Sequence, residues 1–528
     1  MSRRPPALLV FAAGATVGLV ALPLAYLLVR VLDGGGRAWD VLLSDNLAEL
    51  IVDTGVLVVT VTASTLALGV SLAWLVVRTD LPWRPVWGTL AALPLVIPSY
   101  VAALVLLAAF GPRGLLQQLL EPLGVDRVPE IYGLPGAWLA LTLCTYPFVF
   151  LLAAAALRSL DPALEDAARG LGLSAVETFR RVTLPVLRPS LGAGALLVAL
   201  YTLSDFGAVS LMQYDSLTRA IFLQYRALFD RTPAAVLALV LVALTGVILA
   251  LELRMRGRAL ARYRRTGTGA ARRPSLIPLG RWRWPAVGYC TLAVGVALAV
   301  PIAVLSYWAV RAFSRAEPVE WSWAPVFASL GVSLVAAAVT VVATLPVAIL
   351  STRYPRPWTL LLERLSYAGN ALPGIVIALS LVFFAANYAT PLYQTIALLV
   401  FAYVVRFFPQ ALAGSHSALV RVSPQLEEAA RGLGRRPASV FARVTAPLLA
   451  PGLLAGGALV FLSTMKELPA TLLLRPIGFE TLATEIWKYT SVAAYSRAAL
   501  PALVLIAVSA PIVYLLGVRS GSEVETPG

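Results

Sequence analysis

Apolar runs of about twenty residues recur along the whole chain, separated by short stretches in which charged residues, glycine and proline collect. A helix of that length crosses a hydrocarbon core of roughly 30 Å, whereas a membrane barrel needs short strands of alternating polarity, which the pattern lacks. The pattern predicts twelve crossing helices, near residues 7–29, 52–77, 86–110, 136–157, 190–212, 232–252, 286–310, 326–350, 366–386, 393–414, 452–474 and 497–518. The first run follows Arg3 and Arg4, as the apolar part of a secretory leader would. It is too long for one and has no convincing small-residue cleavage site, so it is expected to be retained as a helix.

The polar breaks are not all different. Glu-Asp-Ala-Ala-Arg-Gly-Leu-Gly at Glu165 to Gly172 returns as Glu-Glu-Ala-Ala-Arg-Gly-Leu-Gly at Glu427 to Gly434, 262 positions later (427 − 165). The register holds forward through Phe179/Phe441, Arg181/Arg443, Val182/Val444, Thr183/Thr445 and Pro185/Pro447, and backward through Leu157/Leu419 and Pro147/Pro409. The chain therefore reads as a tandem duplication: an all-α integral membrane protein of two repeated six-helix halves, 1–253 and 286–528, joined by a basic linker at 254–285. Composition agrees, with 59% hydrophobic and 13% charged residues and a mean hydropathy of +0.82, far from the balance of a water-soluble domain.

Charge adds the orientation. Lys and Arg in short loops stay on the cytoplasmic side, and Arg254 to Arg283 holds ten arginines and no acid. Twelve crossings then put both repeated passages and the Arg78 to Arg84 and Arg353 to Arg364 turns on that same side, with both termini. Asp33, Asp40, Asp45, Glu121, Glu130 and Glu320 fall outside. This topology accounts for most of the net charge of +15, and no soluble basic domain exists to hold nucleic acid; the linker is instead placed to touch anionic headgroups of the bilayer. Cys144 and Cys290 lie in apolar segments, which points to neither a disulfide nor a cysteine metal site, and the single His416 reads as an interfacial or packed residue.

Each repeated passage, about 157–190 and 419–452, builds a helical elbow. Asp161 and Pro162, or Ser423 and Pro424, supply an N-cap and a first-turn proline for a short amphipathic helix. Gly170/Gly432 and Gly172/Gly434 then permit a sharp turn. In the first copy Ser174 and Glu177 have the spacing of a capping box for a second helix, expected to end at Leu184-Pro185. Two acids inside the membrane pattern also repeat at 262 positions, Asp205 and Glu467 (467 − 205), with Lys466 beside the second. Ionisable groups at that depth line a water-filled path or hold a structural partner, and both readings stand; Pro94, Pro98, Gly207, Pro373 and Pro469 are helix breakers in the same segments.

These elbows resemble the EAA loop of ATP-binding-cassette (ABC) importer permeases: Glu-Ala-Ala, a glycine four positions on, then a branched aliphatic and Leu-Pro. Asp166-Ala167-Ala168, Gly172, Val182 and Leu184-Pro185 match in the first half, with Asp166 for Glu and Glu165 beside it; Glu428-Ala429-Ala430, Gly434, Val444 and Pro447 match in the second, with Glu427 beside and Ala446 for leucine. The wider chain is similar to the fused, double-length permeases of ferric-iron uptake, through Leu93 to Tyr100, Ser204 to Val209, Lys466 to Pro476 and Gly478 to Ala483. The resemblance implies a type I importer fold and a coupling surface at Glu165, Asp166, Ala167, Ala168, Gly172, Glu427, Glu428, Ala429, Ala430 and Gly434. It further implies a cytoplasmic ABC ATPase dimer and an extracytoplasmic solute-binding protein as partners, in a bacterial-type cell membrane. This chain is then no enzyme and binds no cofactor or firm metal of its own, ATP and Mg belonging to the ATPase: its two lysines, Lys466 and Lys488, lie outside any glycine-rich phosphate loop. Iron is the substrate implied, with thiamine, polyamine or phosphonate as alternatives within the class.

Two other classes fit less. A secondary transporter of the major-facilitator type shares twelve helices and a basic central loop, but would carry Gly-x-x-x-Asp-Arg-x-Gly-Arg-Arg after the second helix, where this chain has Arg78-Thr79-Asp80-Leu81-Pro82-Trp83-Arg84. A membrane enzyme lacks a site, having one histidine and no clustered acid and base residues.

Overall fold

The computed structural model describes residues 5–111, 114–124, 129–227, 232–263, 276–314, 321–367, 369 and 372–522. Glu320 and linker residues 264–275, among them Arg264, Arg265, Arg272 and Arg273, lie outside the described residues. Among the described residues eleven helical spans, some of them longer than the single helices named below, are long and apolar enough to cross a bilayer and a twelfth is shorter, and each answers to one of the twelve apolar runs. We number them α1 (Ala7–Asp33), α2 (Asp45–Arg78), α3 (Ser99–Phe110), α4 (Leu134–Ser159), α5 (Leu184–Ser204) and α6 (Thr232–Tyr263) in the first half. In the second half α7 is made of Arg283–Val294 and Val300–Ser314 joined by a π turn, followed by α8 (Ala324–Arg353), α9 (Gly374–Tyr388), α10 (Ile396–Arg421), α11 (Ala446–Met465) and α12 (Tyr495–Ser522). The single β pairing among the described residues is a bridge between Thr79 and Ile277, which ties the end of the linker to the turn after α2.

Apolarity that continues all round a helix marks one enclosed by others. Every residue from Ser99 to Ala109 of α3 is buried, and so is every residue from Gly374 to Phe383 of α9. The chain packs as two compact units, and these are a different partition from the sequence repeats. One unit takes 1–44, 220–242 and 320–488; the other takes 45–219, 243–319 and 489–528. In the first, α1 of the first half lies against helices of the second: the Ser380 hydroxyl donates to the Pro23 carbonyl at 2.6 Å, and Tyr26 stands edge-on to Phe384 and Tyr388 with ring centroids 5.7 and 5.9 Å away. In the other unit α7 closes a core of the first half, where Cys290 and Val294 pack with Leu72, Val76, Tyr146, Phe150 and Leu187, and Trp308 meets Tyr495 of α12 at 5.8 Å.

The helix breaks differ from the hydropathy pattern, and proline gives the reason. The run expected at 86–110 is a short helix at Arg84–Leu90, a 3-10 turn at Leu93–Val96 and then α3. Pro94 lacks a donor and Pro98 forces Ile97 into extended backbone, so Pro94 and Pro98 precede α3 rather than sitting inside it. Pro373 likewise stands just before α9. The fifth run, expected at 190–212, leaves helical geometry at Asp205 and resumes as Gly207–Leu211; the eleventh ends at Met465 and resumes as Pro469–Leu474. Conversely, the elbow's second helix does not end at Leu184-Pro185. It runs into α5 through a π turn at Phe179–Thr183, matched by Phe441–Thr445 before α11. Widening one turn shifts the hydrogen-bond register and so accommodates the missing donor of Pro185 and Pro447 without stopping the helix.

Candidate coupling and translocation sites

The first elbow is capped as its residues dictate. The Asp161 carboxylate accepts from the Ala163 amide at 3.0 Å, Pro162 occupies the first turn, and the helix runs Pro162–Gly170. Gly172 then takes φ +86°, a left-handed conformation that a side chain disfavours. Ser174 and Glu177 cap reciprocally, the Ser174 amide donating to Glu177 at 3.1 Å and the Glu177 amide to the Ser174 hydroxyl at 3.3 Å. Hydrogen bonds from the Ser174 backbone and hydroxyl, helped by Arg181, hold the Glu177 carboxyl below the usual range. The second elbow repeats the first helix at Pro424–Gly432, with Ser423 accepting from the Gln425 amide at 3.3 Å and Gly434 at φ +78°. It has no capping box, because Arg436 and Ser439 stand where the first copy has Ser174 and Glu177.

Within each elbow the neighbouring acids part company. Glu165 turns inward and is 7% exposed: it pairs with Arg78 of α2 at 2.5 Å, lies 3.8 Å from Arg169, and accepts from the Thr183 hydroxyl at 2.6 Å. Glu427 does the same with Arg353 of α8 at 3.0 Å and Thr445 at 3.3 Å, and Arg353 also donates to the Val422 carbonyl at 3.0 Å. Asp166, Ala167, Glu428 and Ala429 face outward, whereas Ala168 is buried and Ala430 half-buried. At the tip, Leu171 and Leu433 are 86% and 84% exposed in equivalent positions, the most exposed large apolar side chains among the described residues of each elbow. The struts from Arg78 and Arg353 were not among the residues predicted for coupling. Their signal was present as a second repeat, 275 positions apart (353 − 78), which the elbow's spacing of 262 does not reveal.

The paired acids share one local duty. Asp205, 7% exposed, ends α5 and caps the next short helix, accepting from the amides of Ala208 at 2.9 Å and Val209 at 3.4 Å; the Ser99 hydroxyl donates to its other oxygen. Glu467, 6% exposed, follows α11 and accepts from the Ala470 amide at 3.3 Å. The hydroxyls of Thr218 and Thr471 each donate to the carbonyl of the acid at 2.6 Å. The halves differ in what neutralises the carboxylate. Glu467 pairs with Arg406 at 3.0 Å, and a Cβ on Gly374 would come within 2.5 Å of Glu467 and 2.7 Å of Arg406, so glycine makes room for that pair. In the first half Cys144 stands in the place of Arg406 and Ser99 in the place of Gly374. Lys466 is half-buried at the end of α11. Among the described residues no three His, Cys, Asp or Glu side chains converge as a metal site.

Residues 65–255 and 341–518 each match the family model described as binding-protein-dependent transport system inner membrane component. The chain is 34% identical to the Fe(3+)-transport system permease protein FbpB 2 of Haemophilus influenzae over 98% of its own length and 99% of that protein's. It is 38% identical to a probable molybdenum ABC transporter permease protein of Haloferax volcanii over 36% of this chain and 71% of that one, and 34% identical to the sulfate transport system permease protein CysT of Salmonella typhimurium over 27% and 50%. With one match in each repeat and one relative aligned almost throughout, the chain belongs to the family of binding-protein-dependent transport system inner membrane components: it is a multi-pass ABC importer permease that relies on a separate ATPase and on a solute-binding protein.

Proposed function

We propose that this permease imports ferric iron, driven by two ATPase subunits, one on each elbow. The observation that carries the substrate is the likeness to a Fe(3+)-transport permease along nearly the whole of both chains, whereas the molybdenum and sulfate permeases align with about a third of this chain or less. Both elbows face the cytoplasm in this reading, as do the basic linker and both termini. ATP and Mg bind the ATPase subunits. Closure of their dimer draws the elbows together, with Asp166, Leu171, Glu428 and Leu433 as the docking surface. The inward struts Arg78 to Glu165 and Arg353 to Glu427 hand the displacement to α2 and α8, tilting the bundle by rigid-body gating.

Reconstitution with the ATPase and the iron-loaded binding protein tests the reading. ATP-dependent accumulation of labelled iron is the expected result, undiminished by thiamine or molybdate. Charge reversal in Glu428→Lys, or enlargement in Gly434→Leu, should abolish uptake while the protein still inserts. Transport of molybdate, sulfate or thiamine without iron would replace the substrate, and normal uptake in both variants would remove the coupling surface.

A further inference from the structure

Beyond the breaks at Asp205 and Glu467 the two halves build the same amphipathic helix, Leu217–Ala227 and Leu482–Ser491. Three extra residues in the second half move the register from 262 to 265 positions (482 − 217), and the equivalence is visible atom by atom. The Leu217 amide donates to the Thr54 hydroxyl of α2 at 3.1 Å, as the Leu482 amide donates to the Ser329 hydroxyl of α8 at 2.8 Å. Asp215 pairs with Arg219, as Glu480 accepts from Thr484 at 2.9 Å. Ile221 and Ile486 are both fully buried. In this register Phe222 is the counterpart of Trp487 (487 − 222 = 265), and the two rings touch, centroids 6.5 Å apart and planes at 85°.

Phe222 and Trp487 stand at equivalent positions of the two repeats and meet ring to ring, so this contact, made inside one compact unit, joins the two halves of the sequence. Chain order fixes the level: α5 and α11 start at the elbows and cross before these helices begin, so the pair lies on the side away from the elbows. Resting on the transport direction proposed above, we infer that Phe222 and Trp487 are the outer gate of the translocation path, closed in this structure. Phe222 is 8% exposed, and the Arg226 guanidinium sits 5.6 Å from its ring centre, placing fixed positive charge beside the gate and opposing entry of a bare cation. Edge-to-face rings exclude a hydrated ion yet gain only modestly beyond their burial, so the pair can part at small cost.

Two variants test this in the full permease. In Phe222→Cys/Trp487→Cys, a bifunctional thiol reagent that forms mixed disulfides and is long enough to span the two vacated ring positions should join the two halves and lower ATP-driven iron uptake by about tenfold or more, with recovery on reduction. The single cysteine variants, treated alike, should not respond, and native Cys144 and Cys290 are buried. Independently of ATP, Trp487→Ala in liposomes without the ATPase should leak iron or a small monovalent cation, while Trp487→Phe should stay tight. The leak reports on the gate even if the wild type proves to carry another substrate. Failure of the cysteines to join, undiminished uptake by the joined protein, or a tight Trp487→Ala permease would each overturn the assignment.

Discussion

A carboxylate one position from a repeated motif need not share its task. Glu165 and Asp166 are adjacent, yet one is enclosed with an arginine and the other open to solvent, because a helix turns about 100° per residue. Taking one member from a buried ion pair leaves the other charge uncompensated, a loss of about 3 kcal/mol or more where water is excluded. Arg78 and Glu165 are 2% and 9% exposed in their side chains, Arg353 and Glu427 14% and 15%, and Arg353 keeps the Val422 carbonyl. Glu165→Gln should therefore lower the thermal midpoint of the purified permease by clearly more than Glu427→Gln. Equal shifts would mean that the two struts are energetically alike. The sequence exposed both acids through the motif but not their partners, since Arg78 lies 87 positions before Glu165 (165 − 78) and reads in the chain only as one more topological charge.

Elements were legible where the signal is local and obscure where it depends on a neighbour. Apolar length predicts each crossing because lipid demands it at that place in the chain. Helix ends inside the apolar runs follow instead from whether a lost donor finds compensation: Pro98 ends one segment, while Pro185 is absorbed by a π turn that no hydropathy pattern records. The breaks at Asp205 and Glu467 belong to the same class and carry their own test. Asn can still accept from the Ala208 amide, whereas Ala cannot. If Asp205 is chiefly a cap, Asp205→Asn should retain most uptake per folded molecule and Asp205→Ala should lose stability by about 1 kcal/mol. If it contacts the transported ion, both should lose uptake alike. Glu467→Gln is a poorer probe, because it also strands Arg406.

At the scale of the molecule, orientation is the property most open to direct measurement. Leu171 and Leu433 are exposed at the elbow tips, and Ile477, 89% exposed, lies beyond α11 on the opposite side. A cysteine at Leu171 or Leu433 should resist a membrane-impermeant thiol reagent in intact cells and react in inverted vesicles. A cysteine at Ile477 should do the reverse. Labelling of the elbows from outside would place them out of reach of any cytoplasmic ATPase. The duplication was plain from the repeat, but the exchange of first helices was not, since hydropathy says which segments enter the bilayer and nothing about which of them meet there.

That exchange sets a timetable for biosynthesis. α1 leaves the ribosome well before its partners, because the hydroxyl that meets its Pro23 carbonyl belongs to Ser380, 357 residues later. At about 5–20 residues per second, α1 spends on the order of tens of seconds in lipid or on an insertion factor before its partners exist. A product stopped within the linker would hold six inserted helices, with α1 still lacking the helices of 320–488 against which it packs. The fused chain thus keeps α1 waiting beside the site of synthesis, where the arrival of α8 and α9 is assured by covalent connection and not by a chance meeting of two half-permeases.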